Sequence, residues 1–107
     1  MPKCSIAHRR LGVKVIEELG ERGILIIFYL MRKGKEIVKI SDLKQDLHMG
    51  SAALYATIER LRGLGLVKTR RIGVVRAVEL TEDGLKFAEK LKELDDLLRE
   101  IARKRAQ

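Results

Sequence analysis

Arg60, Arg62, Lys68, Arg70, Arg71 and Arg76 fall within one short stretch that holds no acidic residue. Guanidinium and ammonium groups at that density do one kind of chemistry well, which is to hold phosphate oxygens by charge-assisted hydrogen bonds. A salt-bridged face would alternate the signs of its charges, and this stretch does not. Two readings stand for it: a phosphate-contacting patch, or an ordinary solvated hairpin that is basic. The whole chain leans the same way, with 23 Lys and Arg against 15 Asp and Glu and a net charge of +8 over 107 residues. A field of that sign favours polyanions, nucleic acid first and acidic membrane surfaces second.

Residues suited to other chemistry are scarce. A single cysteine, Cys4, excludes an internal disulfide and any multi-thiolate zinc site within one chain. Cys4 and His8 are spaced like a metal pair, yet nothing else completes such a site, so neither metal nor cofactor is expected. Cys4 stays a candidate for an intermolecular disulfide across a two-fold axis, beside the plainer reading of an incidental thiol. His48 reads as a turn residue. There is no phosphate-cradling glycine loop and no nucleophile elbow, and Asp95-Asp96 is most simply a solvated helix face, so an enzyme is not expected. No Trp, two Phe and two Tyr leave little for base stacking on single strands. The start MPKCSIAHRR has no apolar region behind it, and the longest apolar run, residues 24–31, is too short to span a bilayer. A soluble, cytoplasmic protein with no membrane partner is the expectation. The absence of Asn and the presence of only two Gln amid abundant Glu, Lys and Arg is a thermophile tendency.

The elements that must position the basic stretch follow from periodicity. Residues 1–10 read as a basic arm. Leu11, Val15, Ile16 and Leu19 fall at helical spacing up to Gly20, and residues 21–33 form an apolar helix, buried all round, that stops before Gly34. Residues 36–40 alternate as a short strand. Ser41 is placed to cap a helix over 42–47 whose inward residues are Ile40, Leu43 and Leu47, and after a tight turn at 48–50 Ser51 is placed to cap a helix over 52–63. Its buried face is Leu54, Ile58 and Leu61. Strands at 67–72 and 74–80 close a hairpin around Gly73. Thr81 then caps a long final helix, in which Gly84 is a blemish, and Phe87, Leu91, Leu94, Leu98 and Ile101 form a heptad seam. That seam serves either a dimer or packing on the chain's own first helices.

The order helix, strand, short helix, turn, helix, hairpin is that of a winged helix-turn-helix, mainly α with a small antiparallel β-wing. The stretch 40–85 resembles the winged-helix core of MarR- and PadR-type regulators, most tellingly in IERLRGLGLVKTRR and LTEDG. It is also similar to the small winged-helix chromatin proteins of thermophilic archaea, which dimerise through a long C-terminal helix. Carried over by position, the resemblance implies nucleic-acid contacts by Ser51, Ala52, Ala53, Tyr55, Ala56 and Arg60 on the helix and by Arg70, Arg71 and Arg76 on the wing. Two departures matter: the exposed helix face is poor in side chains that read base edges, and the wing tip, residues 72–75, is apolar and short. Both favour readout of backbone and shape over sequence. Tyr55 either faces the nucleic acid or packs back on the domain.

The expected organisation is an arm over 1–10, the winged domain over 11–84 and a C-terminal dimerisation helix over 85–107. The expected function is that of a homodimer binding double-stranded DNA, as a transcription regulator or a nucleoid-associated architectural protein. The helix over 52–63 would enter the major groove and the wing would lie on backbone or minor groove. A small-molecule effector pocket, found in some relatives of this kind, has no specific support in the residues. The rivals are a protein-interaction module of a larger assembly and RNA binding through the same patch.

Overall fold

The computed structural model describes residues 12–106; the basic arm with Cys4 and His8, and Leu11, lie outside the described residues. Where a helix is expected over 11–19, the chain makes a wide π-helical segment, Val15–Leu19, that ends as Gly20 turns to φ +64°. Helix α1 (Gly20–Lys33) follows, with Gly23, Ile26, Ile27 and Leu30 buried at the i, i+3, i+4, i+7 spacing of one helical face. It is not buried all round: Leu25 is exposed, and Ile24, Phe28 and Met31 are half-buried. Gly34 stops it at φ +62°, its N–H donating to the Leu30 and Met31 carbonyls, as the sequence suggests.

The strand expected over 36–40 is only β1 (Val38–Lys39), because Ile40 already begins α2 (Ile40–Asp46). Ser41 is therefore inside the helix and does not cap it. Lys39 holds the cap position, and its backbone N–H donates to the Asp42 carboxylate at 3.1 Å. The same shift occurs at the next helix. His48 adopts φ +53° and Met49 turns into the core, which brings Gly50 to the extended cap position and makes Ser51 the first residue of α3 (Ser51–Gly63). Leu54, Ile58 and Leu61 are buried on its inner face, as their spacing requires.

Strands β2 (Val67–Ile72) and β3 (Val75–Leu80) form the hairpin, and the antiparallel sheet runs β1-β3-β2. Lys68 stands opposite Glu79, Arg71 opposite Arg76 and Ile72 opposite Val75, so the connection is the two residues Gly73 and Val74. Gly73 takes φ +64° at the first of these positions, as a type II′ turn demands and as glycine permits at least cost. The core gathers Ile26, Ile27, Leu43, Leu54, Ile58, Leu61, Val67 and Val78. No polar or charged side chain among the described residues is buried.

Helix α4 (Glu82–Ala106) is joined to the hairpin base through Thr81. The Thr81 hydroxyl accepts the Gly84 N–H at 2.9 Å, the expected cap, and donates to the Gly65 carbonyl at 2.6 Å. Its backbone N–H donates to the Leu66 carbonyl at 3.0 Å. Gly84 is no blemish: a Cβ there would lie 1.9 Å from the Leu66 carbonyl oxygen. Of the heptad seam, Phe87 and Leu91 pack half-buried on the core of their own chain, beside the buried Ala88. Beyond them Leu94, Leu97, Leu98 and Ile101 stay exposed, Leu94 and Leu98 by about two thirds (65% and 64%). Asp95 and Asp96 pair along the helix with Arg99 at 2.9 Å and Lys92 at 2.8 Å.

Tyr29 is a surface group with an altered titration. The Tyr29 hydroxyl donates to the Asp46 carboxylate, and that bond, with desolvation and the further charges of Asp42 and Glu36, pushes its pKa up to about 12. The folded value lies above the unfolded one near 10, so the contribution to stability is complete below pH ~10 and is lost as pH rises through ~12. With Tyr55→Phe as background, Tyr29 is the only phenol left in the sequence. Its ultraviolet titration is expected to run near pH 12 in the folded protein and near pH 10 in urea; a folded midpoint near 10 would contradict the Asp46 bond.

Candidate nucleic-acid interface

The inner face of α3 is occupied by Leu54, Ile58 and Leu61, and helical spacing then sorts the rest. Ala52, Ala56, Glu59 and Gly63 lie on the outer ridge, where Glu59 pairs with Arg62 at 3.4 Å. Ser51 and Tyr55 lie on the flank toward the wing, and Tyr55 is 44% exposed. Ala53 and Arg60 lie on the opposite flank, where they line a separate recess with Glu17, Arg22 and His48. Arg60 donates to the Glu17 backbone carbonyl at 3.4 Å, which turns it away from the wing.

Strand alternation divides the wing in the same way. Successive side chains of β2 point to opposite faces, so Arg70 and Arg71 part company. Arg70 lies on the far face, its Nε 2.9 Å from a Glu79 carboxylate oxygen, and Lys68 stands 4.0 Å from the other oxygen. The basic stretch therefore does meet an acid, supplied by β3 beyond its end. Arg71 and Arg76 stand directly opposite each other on the near face, an arrangement that costs stability where like charges have no other purpose.

That near face closes a groove of about 650 Å³ between α2, α3 and the hairpin. Its walls carry Lys39, Lys44, Arg71 and Arg76, with Ser51, Tyr55 and the wing tip, and none of its lining residues is acidic. None of these four cations is in an ion pair among the described residues. Of the residues singled out in the sequence, the structure brings together Ser51, Tyr55, Arg71 and Arg76. It places Ala53 and Arg60 in the recess across α3 with Ala56 at its outer rim, Ala52 on the outer ridge, and Arg70 behind the wing. Lys39 and Lys44 were missed by the sequence reading. Their signal was outward phase, Lys39 beside buried Val38 and Lys44 beside buried Leu43, but only the fold brings them to the wing. Among the described residues no three His, Cys, Asp or Glu side chains gather to hold a metal, and no helix is long and apolar enough to cross a membrane.

A three-stranded sheet with a core helix, a short second helix, a third helix and a basic hairpin beside it defines the winged helix-turn-helix fold. Solved structures share it. A reported archaeal mechanosensitive channel, described as a structural homologue of MarR-like transcriptional regulators, superposes with a TM-score of 0.74 at 15% identity, covering 88% of this chain and 81% of that one. ZitR of Lactococcus lactis superposes with a TM-score of 0.72 at 18% identity over 97% of this chain and 80% of its own. A transcriptional regulator homologue of Pyrococcus horikoshii reaches 24% identity with a TM-score of 0.65, covering 79% of this chain and 88% of that one. At these identities the likeness establishes the fold. No protein-family model matches the sequence, and no curated protein matches it.

Proposed function

We propose that the chain is a homodimeric double-stranded DNA-binding protein, a transcription regulator or nucleoid-associated architectural protein. In this reading α3 enters the major groove and the wing lies along the backbone and minor groove. The observation that carries this reading is the groove whose four cations, Lys39, Lys44, Arg71 and Arg76, have no acidic partner among the described residues. Unpaired charge held between two elements that can straddle a phosphate ridge is what backbone contact requires. The outer ridge of α3 is small at Ala52, Ala56 and Gly63 and otherwise carries Glu59, held by Arg62 at 3.4 Å, so it offers few donors for base edges, which favours readout of shape. The second copy would meet the exposed face of Leu94, Leu97, Leu98 and Ile101, making 94–106 the dimerisation part of α4 while Phe87 and Leu91 serve their own chain. A dimer places two wings on one duplex.

Fluorescence anisotropy on a mixed-sequence duplex of about 30 base pairs, titrated across salt with single-stranded RNA as competitor, tests the reading. Eight groove cations per dimer set an expected slope of log affinity against log salt of about −7. Absence of binding at about 50 mM salt would overturn it and leave an assembly module as the better account. Stronger binding to the RNA would overturn it in favour of that polymer.

A further inference from the structure

We infer that the wing tip is an apolar wedge: Val74 enters the minor groove between base pairs, partly unstacks them and bends the duplex. This rests on the DNA-binding reading above and adds to it a mode of distortion. Val74 is 97% exposed, more than any other large hydrophobic side chain among the described residues, and Ile72 beside it is 40% exposed. Single apolar residues on a surface are ordinary, so the weight falls on where this one stands. It occupies the outermost position of the hairpin, on a two-residue turn whose register is set by the Ile72–Val75 pair. A loop that short has no slack with which to fold its tip back onto the domain.

The surroundings select the partner. Gly73, Val74 and Val75 line the same groove as Lys39, Lys44, Arg71 and Arg76, so the apolar tip stands at the edge of a cationic groove. A protein partner of the usual kind would meet an apolar patch with charge at its centre depleted; here the charge is concentrated and of one sign. A duplex satisfies both parts at once. Its phosphates take the arginines that straddle the tip, and its stacked bases, opened at a flexible pyrimidine–purine step, take the valine. Valine is a short wedge, so partial unstacking and a bend at the low end of the range for such proteins, about 20–40°, are expected.

The test uses the full chain and a duplex with 2-aminopurine at a central TA step and a donor–acceptor dye pair at its ends. Saturating wild-type protein is expected to raise the 2-aminopurine fluorescence and shorten the end-to-end distance. At saturation Val74→Ser is expected to return both signals to those of the free duplex, and Val74→Leu, a longer wedge, to exceed wild type. Anisotropy in the same samples separates the two proposals. If wild type fails to bind, the DNA-binding reading falls. If wild type binds without either signal, or Val74→Ser distorts the duplex as wild type does, the wedge falls and the DNA-binding reading stands.

Discussion

Gly84→Ala is expected to lower the thermal midpoint by roughly 12 °C or more, from a destabilisation of about 3 kcal/mol. Helix propensity alone argues the reverse, since alanine is favoured over glycine inside a helix by about 1 kcal/mol. Packing decides the sign. The added Cβ would sit 1.9 Å from the Leu66 carbonyl oxygen and 2.8 Å from its carbon. That carbonyl cannot withdraw freely, because it accepts the Thr81 N–H at 3.0 Å in the junction that attaches α4 to the hairpin. Gly63→Ala supplies the contrast: it lies at the exposed end of α3, and a Cβ there meets nothing within 4 Å. It is expected to leave the midpoint unchanged or raise it slightly. Melting curves followed by circular dichroism compare the two, and a Gly84→Ala midpoint at or above wild type would refute the close approach.

Removing Arg71 and Arg76 together is expected to weaken duplex binding on the order of a hundredfold and to flatten the salt slope by about two per protomer. Arg70→Ala is expected to do much less, although it is equally basic and adjacent in sequence. Its guanidinium is held by Glu79 at 2.9 Å on the other face of the wing. The comparison separates a directed groove from diffuse positive charge. A field effect alone would make the loss follow the number of charges removed, so an Arg70→Ala loss matching that of Arg71→Ala would eliminate the groove. The pair also carries a cost in the free protein, since two guanidinium groups oppose each other with no acid between them.

Much of this was legible in the sequence, and the limits have physical causes. Leu54, Ile58 and Leu61 announce the buried face of α3 because an amphipathic helix writes its period into consecutive residues. Gly73 between two alternating runs announces the hairpin, and Thr81 its junction with α4. Helix starts were displaced because Ser41 and Ser51 are good cap residues in the wrong places. Tertiary burial of Ile40 and Met49 fixed where the chain turned, and propensity yielded to it. The acid facing Arg70 was invisible to a count along the chain because it lies on the returning strand, diagonal to Arg70 in register. Lys39 and Lys44 belong to elements remote from the basic stretch, and no periodicity links them to Arg71. Gly84 could not be understood locally, since what it accommodates is the backbone of Leu66.

The junction at Thr81 and Gly84 also has a mechanical meaning. Helix α4 has 25 residues, held from the base of the wing to Leu91 by the core and projecting over the last fifteen, about 22 Å of rod at 1.5 Å per residue. A clamped rod is a lever. Tilting the held part by about 5° would carry the far end of α4 through about 2 Å, roughly the length of a carbon–carbon bond and a half. In the proposed dimer, the second copy's hold on Leu98 and Ile101 would therefore bear on the angle of the hairpin. Angular error at the tip is reduced in proportion to the length of the arm.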